Sequence, residues 1–80
     1  MFEINRITRG SFVELITTPA TAKWGITLWD TKGNIFKVYP PLTGIVIETF
    51  VDDIFQKYAN VIFCDSSAGH IYINSLKLIE

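Results

Sequence analysis

Short runs of β-branched and aromatic residues alternate with polar positions along this chain, and Gly, Pro, Asn, Asp and Ser interrupt them at close intervals. Helical periodicity is weak throughout, so the pattern predicts strands joined by tight turns. Seven strands are expected, over 12–17, 25–30, 34–39, 43–51, 58–65, 70–74 and 77–79. Asp52 to Lys57 reads as a loop with room for one helical turn. Pro40-Pro41 reads as an extended corner, because a proline ring sets its own φ and restricts the residue before it.

Two hairpins can be taken to the level of faces. Asp30 to Asn34 fits a three-residue loop with Gly33 in the left-handed conformation. That loop sets Leu28 opposite Phe36 and Ile26 opposite Val38. Side chains alternate across a strand, so Trp24, Ile26, Leu28, Phe36 and Val38 share a core face. Thr27, Trp29, Ile35, Lys37 and Tyr39 share the reverse, amphipathic one. Around Ser66 to Gly69, pairing Asp65 with Gly69 puts Val61, Phe63, Ile71 and Ile73 in the core. Ile62, Cys64, His70 and Tyr72 then face outward, and Cys64 lies across from His70. A slip of one residue would exchange the faces of one strand. Phe12 joins Trp24, Phe36 and Phe63 as expected core aromatics, whereas Trp29, Tyr39, Tyr58 and Tyr72 have outward parity.

Composition sharpens this. Eighty residues, 1–80, make one domain, with no repeat, linker or low-complexity stretch to divide them. A domain so short has a thin core, yet 49% of its residues are hydrophobic and only 19% charged. The excess implies apolar surface left over for a partner. Seven basic and eight acidic residues leave a net charge of −1, without the basic stripe that phosphate binding requires. One cysteine, Cys64, excludes an internal disulfide and suits a reducing compartment as a small buried hydrophobe. Met1 to Arg6 lacks the pattern of a secretory leader, and no apolar run approaches the ~20 residues that span a bilayer. A soluble, cytoplasmic protein without membrane contact is the expectation.

Several segments carry a resemblance. Arg9-Gly10-Ser11-Phe12-Val13-Glu14-Leu15 resembles the opening strand of SH3-like barrels, and Pro41-Leu42-Thr43-Gly44-Ile45-Val46-Ile47-Glu48 their second. Tyr58 to Phe63 and His70 to Ile73 resemble the third and fourth, and Ile73 to Ile79 the 3₁₀ turn and closing strand. The combination is similar to small barrel proteins of tailed phages and, distantly, to KOW-type barrels. The resemblance implies an all-β fold: a small SH3-like barrel of five core strands with an extra β-hairpin elaborating the first loop. It also implies a small phage protein, either a virion component or a binder of a host protein, located in the host cytoplasm or the virion. Thr17-Thr18-Pro19-Ala20 and Asn74-Ser75-Leu76 stand where signalling SH3 domains carry their ligand-binding motifs, so polyproline recognition does not transfer.

Catalytic constellations are weak. Cys64 and His70 could touch, but neither an orienting group nor an oxyanion-stabilising loop accompanies them, and two ligands fall short of the ~four a metal usually takes. Asp52-Asp53 reads as solvated loop and Asp30 as a turn former. A non-enzymatic protein-interaction or assembly module is therefore expected, with no cofactor, metal or small-molecule substrate. Trp29, Ile35, Lys37, Tyr39 and Tyr72 are its candidate partner-binding residues. Self-association through an exposed edge strand is one form of it. The alternative is a single-stranded nucleic-acid binder that stacks bases on Trp29, Tyr39 or Tyr72, with Lys23, Lys32 and Lys37 along the backbone.

Overall fold

The computed structural model describes residues 7–79; Met1–Arg6, which bear on the question of a leader, and Glu80 lie outside the described residues. The elements are β1 (Phe12–Leu15), α1 (Pro19–Trp24), β2 (Ile26–Trp29), β3 (Ile35–Val38), β4 (Thr43–Val51), β5 (Lys57–Phe63), β6 (Ala68–Tyr72), a 3₁₀ turn (Ile73–Ser75) and β7 (Leu76–Leu78). All neighbouring strands pair antiparallel in one open seven-stranded sheet ordered β3-β2-β6-β5-β4-β1-β7. The all-β expectation is met, and in chain order the β2–β3 hairpin stands between β1 and β4. It joins the remaining strands at the edge of β6, where Trp29 pairs with His70.

The core collects the inward parity of each strand: Val13 and Leu15, Ile26 and Leu28, Val46, Ala59, Val61 and Phe63, then Ile71, Ile73 and Leu76. Alternation predicts most of these positions. Phe12 is a correction, at 59% exposed: Val13 and Leu15 occupy the inward parity of β1, which turns Phe12 out. Trp24 is another. It ends α1 and is 64% exposed, because a helix interrupts the alternation before β2 begins. That helix was not expected, although its signal is local. Thr18 caps it, accepting from the Thr21 N–H at 3.1 Å, while the Thr21 hydroxyl accepts from the Thr18 N–H at 2.8 Å, and Pro19 opens the first turn.

The first hairpin has its expected register, Leu28 to Phe36 and Ile26 to Val38. The β5–β6 hairpin does not. Gly69 pairs with Val61 and Ile71 with Ala59, so the partner of Gly69 lies four residues from Asp65. Four is even, so every side chain keeps its predicted face while the neighbours change. Cys64 and His70 are consequently not opposite each other: His70 pairs with Asn60, and Cys64 lies exposed in the turn rather than buried.

One turn geometry serves three hairpins. At 30–34, 52–56 and 63–67 the first residue's N–H donates to the fifth residue's carbonyl, and the fourth residue's N–H donates back to the first carbonyl. The fourth residue has positive φ each time: 87° at Gly33, 63° at Phe55 and 74° at Ser66. The segment 52–57, expected as a loop with a helical turn, is thus a tight hairpin. Asp52 Oδ1 accepts from the N–H groups of Ile54 and Gln56, as Asp30 Oδ1 does from Lys32 and Asn34. Phe55 is 87% exposed, so little packing offsets the cost of a side chain in the left-handed region, which is ~1–2 kcal/mol. Phe55→Gly is expected to raise stability by about 1 kcal/mol, read as a higher urea midpoint with unchanged slope.

Candidate interaction surfaces

Two features of the sheet's outer face stand apart from ordinary surface. The first is a cluster of aromatic rings. Phe50, Tyr58 and Tyr72 lie directly opposite one another on β4, β5 and β6. Phe50 stacks on Tyr58 at 5.4 Å and Tyr58 on Tyr72 at 4.7 Å. Trp29 meets Tyr58 and Tyr72 edge-on, at 6.1 and 5.9 Å, and His70 meets Phe50 at 4.7 Å.

A β-bulge puts Phe50 there. Val46 pairs with Val61, but Glu48 pairs with Asn60, so one extra residue enters β4 at this point. The insertion reverses the parity of the rest of the strand. Without it Phe50 would share the inward face of Val46; with it, Phe50 stands beside Tyr58.

Among the sequence-predicted residues, Trp29 and Tyr72 come together in this cluster, and Ile35 is exposed opposite Trp29 on β3. Lys37 lies further along, its Nζ donating to Thr27 Oγ1 at 3.0 Å. Tyr39 stands beyond it, its ring over Gly25 and half exposed. The five therefore divide into a cluster group and a distal pair. Phe50 is an addition that parity alone does not select, whereas parity turns Tyr58 and His70 outward without marking them as part of a site.

Asp30 and Asp52, first residues of their respective turns, meet Trp29, Phe50, Tyr58 and His70 around a concave site of about 420 Å³. Hydrogen bonds from the Asn34 side chain and N–H hold the Asp30 carboxyl below its usual range. Tyr58 moves the other way: hydrogen bonding with Tyr72, desolvation and the nearby Asp52 charge push its phenol up to about 12. A folded value above the unfolded ~10 means the fold favours the protonated phenol. Its contribution to stability is whole below pH ~10 and is lost as pH rises through about 12. Phenolate absorbance is expected to show one late-titrating tyrosine, removed by Tyr58→Phe.

The second feature is an apolar stripe. Phe12 on β1 pairs with Ile45 on β4, and Ile45 with Ile62 on β5. These three residues are 59%, 41% and 49% exposed. Ile79 adjoins them, donating its N–H to the Phe12 carbonyl at 2.9 Å. With Cys64 and the edge of Phe63 they line a shallow groove. The sequence reading missed it by assigning Phe12 to the core; the signal available was that both parities of 12–15 and 43–47 carry large apolar side chains.

Among the described residues no cluster of three or more His, Cys, Asp or Glu could hold a metal ion, and no helix is long and apolar enough to cross a membrane. Comparison with protein families, curated proteins and solved structures found no match.

Proposed function

We propose that this chain is a non-enzymatic protein-interaction or assembly module built on an SH3-like barrel. For the fold, the support is the pairing pattern: β4, β5 and β6 form a meander, a 3₁₀ turn follows, and β7 closes against β1. In that reading β1, β4, β5, β6 and β7 are the five barrel strands, and β2–β3 elaborates the first loop. The likeness to short tailed-phage proteins is consistent with a virion component or a binder of a host protein.

For the function, the carrying observation is the stripe of Phe12, Ile45 and Ile62, in register across three strands and open to solvent. The outer face of a one-sided antiparallel sheet is ordinarily polar, and an aligned apolar row there favours a protein surface as its cover. A net charge of −1 imposes little repulsion between copies, which makes self-association the form to test first. Light scattering coupled to size exclusion should show a multimer that Ile62→Lys converts to a folded monomer. A wild-type monomer at every concentration loaded would count against assembly.

The nucleic-acid alternative has less support. Of its three lysines, Lys23 lies over the Trp24 ring at 4.9 Å, Lys37 is bonded to Thr27, and Lys32 shares a turn with Asp30. The aromatic cluster is bordered by two carboxylates, which repel a phosphate backbone.

A further inference from the structure

We propose that the concave site between the 30–34 and 52–56 turns binds the cationic head group of a basic side chain, guanidinium or ammonium, presented by a protein partner. This site lies apart from the apolar stripe on which the assembly reading rests.

Its walls are Trp29, Phe50 and Tyr58, with His70 beside Phe50 and the carboxylates of Asp30 and Asp52 at the rim. Aromatic faces carry the negative side of a quadrupole and attract organic cations, most strongly where water is partly excluded. The rings do not form a flat platform. Trp29 meets Tyr58 at 78° and Tyr72 at 82°, and His70 meets Phe50 at 68°. Phe50 and Tyr58 lie nearly parallel, at 9° and stacked on each other, with Trp29 and His70 set steeply across them. The site is thus an open recess bounded by rings rather than the free parallel face that a stacked nucleobase needs.

The carboxylates supply the complementary charge. Asp52 and Asp30 are fixed by the hydrogen bonds of their own turns, so neither must be ordered when a ligand arrives. The negative field of Asp52 already reaches the recess, since it helps keep the Tyr58 phenol protonated. Lys32, on the Asp30 turn, is a cation of this chain whose charge interacts with Asp30, leaving Asp52 as the principal anchor. A protein partner is favoured over a free amine because the site opens beside exposed Ile35, which offers apolar contact to the residues flanking a basic side chain.

The test is an amide-resolved NMR titration of the whole chain with N-acetyl-arginine amide, N-acetyl-lysine amide and N-acetyl-citrulline amide, the last a neutral isostere of arginine. Saturable shifts are expected at the Trp29 indole N–H and in both turns with arginine or lysine amide, and none with citrulline amide. Asp52→Asn retains an oxygen for the turn's two N–H groups and should weaken the arginine response by up to about fivefold. Added salt, which leaves the fold intact, should weaken it in the wild type. Equal shifts with citrulline amide, or none with either cation, would overturn the proposal, as would oligothymidylate binding these residues where the cations do not. Ile62→Lys should leave the titration unchanged, so the cation site and the assembly reading fail or stand separately.

Discussion

Gly69→Ala is expected to destabilise the protein by about 2–3 kcal/mol and to move the aromatic cluster. Gly69 is buried on β6, and a Cβ there would run into the carbonyl oxygen of Trp29, with its carbonyl carbon 3.0 Å and the Leu28 side chain 3.1 Å away. The obstacle is mostly backbone, which cannot swing aside as a side-chain tip would. Relief requires β2 to draw back from β6, and Trp29 and His70 are the residue pair that joins these strands. The same displacement carries Trp29 away from Tyr58 and Tyr72. Urea unfolding should show the lower midpoint. Tryptophan emission should report a wetter Trp29 against the background of Trp24, already 64% exposed.

Phe63→Ala is the larger loss, at about 3–5 kcal/mol. Phe63 is among the largest fully buried side chains, 2% exposed, and sits at the end of β5 where the 63–67 turn begins. Removing the ring leaves a cavity in a small core, thirteen buried hydrophobic residues among the described ones, too few for neighbours to close it. An 80-residue domain has only about 4–12 kcal/mol of total stability. The loss is thus at least about a quarter of the total, visible as a sharply lowered denaturant midpoint. Phe63→Leu, which restores most of the volume, should recover much of the loss. Phe12→Ala, by contrast, should change stability little, since Phe12 is 59% exposed.

Where sequence pattern succeeded and where it failed follows from the length of chain over which each interaction acts. The turn at 30–34 was legible because Asp30 and Gly33 carry its geometry within five residues. The same backbone geometry at 52–56 and 63–67 was not, since Phe55 and Ser66 occupy the left-handed position that usually announces itself as glycine. The α1 cap is equally local, and its Thr18-Pro19 signal falls between the expected strands 12–17 and 25–30, where the strand pattern assigns no element.

The candidate surfaces were legible only in part. Trp29 and Tyr72 could be turned outward by parity, but nothing along the chain brings them within 5.9 Å of each other; that contact depends on the β2–β3 hairpin docking at β6. Phe50 depends on the bulge in β4, a single extra residue that no local turn chemistry marks. Ile35, Lys37 and Tyr39 share the predicted face of the hairpin, yet a face is not a site, and Lys37 and Tyr39 lie along it away from the aromatic recess.

By itself, then, the sequence determined the all-β class, the strands to within a few residues, the inward parity of most core positions, and an apolar content too large for a small core. Each of these rests on period-two alternation or turn chemistry acting over a few residues. Tertiary structure alone decided the register of β5 on β6, the reversal of parity after Val46, the outward turn of Phe12, and the meeting of Trp29, Phe50, Tyr58 and His70 beside two aspartates. Those depend on which strands lie side by side. An even-numbered slip in pairing leaves every face unchanged while replacing every neighbour, so alternation carries no information about it.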